Sequence, residues 1–122
     1  MKVRRLARVA IVASLVVMKS QLILAETVLD GFETLDGWTA IGTDGAQVEL
    51  ARDTGVVGQA LRIDYRFPQG GHVLVRKAFA LDLPPNYAFT LQARGVGPPV
   101  DFELKLIDTA DRNVWWYRER DV

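Results

Sequence analysis

Three consecutive aromatic residues, Trp115-Trp116-Tyr117, give this 122-residue sequence its clearest chemical capability. A flat apolar ring can stack on the C–H face of a pyranose, provided that planar polar groups nearby satisfy the sugar hydroxyls. Successive side chains of an extended segment alternate between faces, so with Trp116 turned inward, Trp115 and Tyr117 look outward together. They would then share a polar face with Arg62, Arg66 and Gln92, together with Asp64, Arg94, Glu103 and Lys105, whose own segments alternate in the same way. Trp115, Tyr117, Arg62, Arg66 and Gln92 are therefore the candidate ligand-binding residues. The alternative is that Trp115 covers a second sheet and binds nothing.

Other chemistries find less to work with. Glycoside hydrolysis needs two carboxylates about 5 to 10 Å apart across a cleft; Asp101, Glu103 and Asp108 could supply them, but nothing marks any pair among 15 acids. His72, the single histidine, follows two glycines without an acidic or serine companion, and it is assigned no role. Gly95-Val96-Gly97 lacks the strand-turn-helix setting of a nucleotide fingerprint, and there is no serine-hydrolase elbow or zinc motif. Cysteine is absent, which removes disulfides, thiolate zinc sites and cysteine nucleophiles together. The expectation is a protein that is not an enzyme.

Charge narrows the partners. The formal net charge is zero, but residues 1–25 hold five basic residues and no acids, leaving ten basic residues against 15 acids, a net charge of −5, on the remainder. Nucleic-acid binding needs a contiguous basic face, and arginines scattered among aspartates do not provide one. With 49% hydrophobic and 25% charged residues the body should fold around a core, and its length suits a single domain.

The first 25 residues read as a secretory signal peptide. A basic opening, Met-Lys-Val-Arg-Arg-Leu-Ala-Arg, precedes an apolar run over 9–18, and Ala25 provides a small residue before Glu26. A stable membrane span would need roughly 20 consecutive apolar residues, and reading the stretch through to Ala25 as one would bury Lys19. The expected organisation is a signal peptide over 1–25, a domain over 26–122, and a secreted or periplasmic location.

After Glu26 the pattern is period 2, bounded by Gly, Pro, Asp and Asn. The clearest strand covers 60–67, with Leu61, Ile63, Tyr65 and Phe67 on one face and Arg62, Asp64 and Arg66 on the other. Further strands are expected over 72–81, 87–94, 102–106 and 114–119, and shorter ones over 28–33, 38–41 and 47–51, with Asp108-Thr109-Ala110-Asp111-Arg112-Asn113 as a turn. Phe32 and Trp38 should plug the core beneath the first turn. Eight short strands with closely spaced turns predict an all-β, antiparallel β-sandwich with jelly-roll connections.

Leu29-Asp30-Gly31-Phe32-Glu33, Gly37-Trp38 and Gly55-Val56-Val57-Gly58-Gln59-Ala60-Leu61-Arg62-Ile63-Asp64-Tyr65 resemble the start of a bacterial carbohydrate-binding module of the galactose-binding-domain-like group. Phe102-Glu103-Leu104-Lys105-Leu106-Ile107-Asp108 and Asn113-Val114-Trp115-Trp116 are similar to its middle strands. Such modules stand N-terminally in exported discoidin-type or glycoside-hydrolase-type proteins. The resemblance, over about residues 28–122, implies a glycan or polysaccharide partner and a structural calcium to which Glu33 would contribute. Asp53 could add an oxygen, although calcium takes about 6 to 8 ligands, and the alternative is that both are ordinary surface acids. Family members continue with further strands, so the expectation here is a truncated, incomplete domain that continues into or packs on further polypeptide.

Overall fold

A computed structural model of the chain describes the backbone of 5–19 and 21–122 and the side chains of 26–122. Among the described residues there is no helix, so none is long and apolar enough to cross a membrane. Every strand pairing is antiparallel. The strands are β1 (Arg5–Lys19), β2 (Gln21–Asp30), β3 (Thr39–Gly42), β4 (Gln47–Thr54), β5 (Gln59–Arg66), β6 (Val73–Arg76), β7 (Tyr87–Val96), β8 (Phe102–Ile107) and β9 (Val114–Glu119). The all-β class expected from the alternation is found, with antiparallel sheets consistent with a β-sandwich.

The largest sheet is five-stranded and is centred on β1. One edge of β1 pairs with β7 from Leu6 to Leu15, so β5, which pairs at Arg5–Val9, and β2, which pairs from Ile11 onward, must follow one another along the other edge. The apolar run expected to form the core of a leader is thus the middle strand of this sheet. β4 completes it by pairing with the outer edge of β5.

The alternation over 59–66 is realised as expected. Tyr65 and Ile63 stand opposite Val48 and Leu50, forming an apolar face. On the reverse face Arg62 pairs with Asp64 at 3.1 Å and reaches Asp53 at 3.7 Å. Exposed ion pairs of this kind contribute about 0 to 1 kcal/mol, so burial rather than charge must hold the two strands in place. Leu61 and Ala60 at the start of β5 are each 1% exposed.

The strand expected over 72–81 is shorter in the structure, ending at Arg76. Among the described residues its partner is the four-residue β3, and the last pair is Thr39↔Arg76. Beyond it Lys77 and Phe79 are drawn towards Asp30 and Trp38, which takes the chain off the ladder. The turn after β3 has positive φ at both Asp44 (54°) and Gly45 (79°), the pattern of a type I′ reversal, and it is closed by Ala46 N–H donating to Thr43 O at 2.9 Å. Gly42 is required just before it, since a Cβ there would lie 2.0 Å from Ala46 O.

Only Phe32, Ala60 and Leu61 are fully buried apolar residues among those described. The chain exposes 9091 Å², against about 6,600 Å² for a compact monomer of its mass.

Candidate glycan-binding surface

β8 and β9 form a two-stranded sheet of their own. The connection between them is built by Asp108. Its carboxylate accepts from Arg112 N–H at 2.9 Å and from Asn113 Nδ2 at 2.7 Å, and its backbone N–H donates to Asn113 O at 3.1 Å. Those two donors hold its carboxyl below the ordinary aspartate pKa. The turn expected over 108–113 is thus present, with Asp111 at a φ of 53°. At the other end Val100 and Val122 exchange both backbone hydrogen bonds, at 3.2 and 3.1 Å.

The register runs Ile107↔Val114, Leu106↔Trp115, Lys105↔Trp116, Leu104↔Tyr117, Glu103↔Arg118 and Phe102↔Glu119. Directly opposed residues share a face, which corrects one expectation. Trp115 and Tyr117 do not stand beside Glu103 and Lys105; they share the face of Phe102, Leu104 and Leu106. Trp116, expected to point into a core, is on the charged face, where Lys105 Nζ lies 5.3 Å from its ring centroid. The physical reason is the connection: six residues is an even number, so odd-numbered residues of β9 fall opposite even-numbered residues of β8.

All three rings are open to solvent, Trp115 at 58%, Trp116 at 62% and Tyr117 at 59% exposure. Tyr117 hydroxyl donates to the Glu119 carboxylate on its own strand, which raises the phenol pKa above its ordinary value. On the other face Arg118 donates to Asp101 and lies 3.7 Å from Glu103, while Lys105 pairs with Glu103 at 2.9 Å. The Arg118 guanidinium holds the Asp101 carboxyl below its ordinary pKa.

The remaining candidate residues are elsewhere. Arg62 and Arg66 are on β5 and Gln92 is on β7, strands of the five-stranded sheet rather than of the β8–β9 ribbon. Arg62 and Gln92 lie on opposite sides of β1, about two strand spacings, or roughly 10 Å, apart. Gln92 lines an open cleft of about 530 Å³ with Arg94, Ala60 and the β4–β5 turn at Thr54, Gly55 and Val56. The aromatic pair and the polar trio thus belong to different hydrogen-bonded sheets.

Asp53 and the Glu33 main chain each meet an arginine. Asp53 accepts from Thr54 N–H at 2.7 Å and faces Arg62, while the Glu33 main-chain oxygen accepts from Arg52 at 2.6 Å. Among the described residues no three His, Cys, Asp or Glu side chains gather, whereas calcium requires about six oxygens or more. His72 shares a local bond network with Thr43, whose hydroxyl lies 3.0 Å from His72 Nδ1.

The most fully satisfied polar group was not anticipated. Asp30, with a side chain 8% exposed, accepts from Phe32 N–H (2.7 Å), Trp38 Nε1 (2.9 Å) and Lys77 Nζ (2.7 Å). Burial pushes its carboxyl up, but these bonds and the Lys77 charge outweigh burial and hold the pKa below its ordinary value. Phe32 and Trp38 pack at 5.7 Å, Trp38 meets Phe79 edge-on at 6.3 Å, and Lys77 lies over both the Trp38 and Phe79 rings. Every group of this cluster is occupied by another, so its role is to join the end of β2 to the segment before β3 and the segment after β6.

Fold and surface together define an all-β protein with antiparallel sheets and an aromatic ribbon open to solvent. No protein-family model, curated protein or solved structure matches the chain.

Proposed function

We propose that this chain is a non-catalytic carbohydrate-binding or targeting module of an exported protein, with a jelly-roll, galactose-binding-like sandwich that engages glycan through the β8–β9 ribbon. One observation carries the reading: three consecutive aromatic side chains on β9 are each more than half exposed. Soluble proteins rarely leave clustered large apolar side chains in water unless the cluster meets a partner. A sugar ring is a suitable partner because it offers an apolar C–H face for the indole and hydroxyls for flanking charged groups. The direct test is depletion of the folded protein from solution by a panel of insoluble polysaccharides. Removal by at least one is the expected result, and indifference to all of them defeats the reading.

Export rests on the leader over 1–25, and mass spectrometry of the exported chain should find Glu26 first; retention of residues 1–25 would overturn it. Cleavage there removes β1, with which β7 makes its pairs. The exported body then needs another strand beside β7, which continuation into further polypeptide would supply.

A second reading is favoured by one face of the ribbon. Phe102, Leu104, Leu106, Trp115 and Tyr117 together form an apolar surface of the kind that packs on a neighbouring domain. In that case Trp115 and Tyr117 become buried in the larger protein and their environment does not respond to saccharide.

A further inference from the structure

The two faces of the β8–β9 ribbon differ in chemistry, and the difference selects between them. One face stacks Trp115 and Tyr117 against leucines and Phe102, with the Tyr117 hydroxyl already donating to Glu119. It offers mostly apolar surface, flanked at one end by the Tyr117 hydroxyl and Glu119 carboxylate, which are already bonded to each other. A pyranose placed there would have few partners for its hydroxyls, and leaving them unsatisfied on desolvation costs about 1 to 3 kcal/mol each.

The other face presents a single ring in a charged frame. Trp116 stands opposite Lys105, and the next pair along the ladder is Glu103↔Arg118 on the same side two residues on. Asp101 joins the frame through Arg118. Two cations and two carboxylates therefore flank one side of an indole that is 62% exposed, with Ile107 and Val114 on its other side, and each charge has a partner within the frame. Such a frame offers both donors and acceptors beside a stacking platform while carrying no net charge. A neutral sugar can hydrogen-bond to carboxylate and guanidinium oxygens and nitrogens without breaking an ion pair. A polyanion would have to displace Glu103 and Asp101 from their cations.

We propose that Trp116, framed by Lys105, Glu103, Arg118 and Asp101, is the glycan-contacting platform, that its ligand class is a neutral hexose polymer, and that the Trp115/Tyr117 face packs rather than binds sugar. This rests on the carbohydrate-binding reading and specifies its face and ligand.

Affinity electrophoresis of the full chain through gels containing a soluble β-glucan, a galactan or alginate tests each part. The wild-type protein should be retarded by at least one of the two neutral polymers. Trp116→Ala should weaken that retardation roughly tenfold or more, as expected for an aromatic hot spot, while Trp115→Ala should retain it. Trp116→Phe, which keeps an aromatic face, should recover part of the loss and rules out a folding defect as its cause. Equal retardation of Trp116→Ala and wild type, or loss only in Trp115→Ala, overturns the choice of face. Retardation by alginate alone overturns the neutral ligand class. No retardation in any gel defeats the carbohydrate-binding reading itself.

Discussion

Replacing Phe32 by alanine is expected to lower the unfolding free energy by about 3 to 5 kcal/mol, the range for removing a buried phenylalanine. The side chain is 0% exposed and packs on Trp38 at 5.7 Å. Its backbone has a φ of 56°, a conformation that L residues adopt rarely, and is fixed there by the N–H bond to Asp30. Burial of the ring must offset that strain, about 1 kcal/mol or more. Alanine retains the strain and loses the burial that offsets it, so the lost burial sets the difference. With so few fully buried apolar residues among those described, total stability belongs at the low end of the usual range, about 5 kcal/mol, and the variant should keep about 2 kcal/mol or less. Urea titration followed by far-ultraviolet circular dichroism reads this directly. A loss below about 1 kcal/mol would show that Phe32 is not the centre of the core.

Removing the Asp30 carboxylate should be the second most damaging change. Asp30→Ala strands three donors at once: Lys77 Nζ, Trp38 Nε1 and Phe32 N–H. Breaking one side of a buried ion pair costs about 3 to 5 kcal/mol. The Lys77 side chain is 23% exposed and can partly rehydrate, so the lower end, about 3 kcal/mol, is expected at pH 7. The same group sets a pH dependence. Its folded pKa lies below the value of about 3.9 in the unfolded chain, so its stabilisation is complete above that pH and is lost as pH falls through the folded pKa. Asp30→Asn should therefore be less stable than wild type at neutral pH, and the gap should narrow below about pH 4. If the two proteins lose stability in parallel on acidification, Asp30 does not carry the linkage.

Much of the strand layout was legible because period 2 is local information. The strands over 59–66, 102–107 and 114–119 all coincide with alternating runs. The core role of Phe32 was legible for a similar reason, since a bulky side chain beside a turn has few places to go, and Trp38 packs on it half-buried. The hub at Asp30 was not, because Lys77 lies 47 residues away and no local pattern marks either partner. Likewise β6 ends where its partner ends, and pairing length is set by another segment altogether.

The error over which face Trp115 occupies is instructive, because the deciding signal was present. Alternation within β9 fixes which residues go together but not which face of β8 they meet. That phase is set by the connection, and the even count of its six residues, 108–113, would have placed Trp116 opposite Lys105. The apolar run over 9–18 shows a different limit. A continuous hydrophobic segment suits both a leader and the central strand of a sheet, and periodicity does not separate the two.

Under the proposed function, the Trp116 ring on the β8–β9 ribbon is open to water until a saccharide covers it. Acrylamide quenching of tryptophan fluorescence, with and without the best-bound polysaccharide, measures this most directly. Two of the three tryptophans, Trp115 and Trp116, should quench readily in the free protein, Trp38 should quench less, and saccharide should protect Trp116 while leaving Trp115 accessible. Uniform resistance in the free protein, or free access that saccharide leaves unchanged, would contradict it.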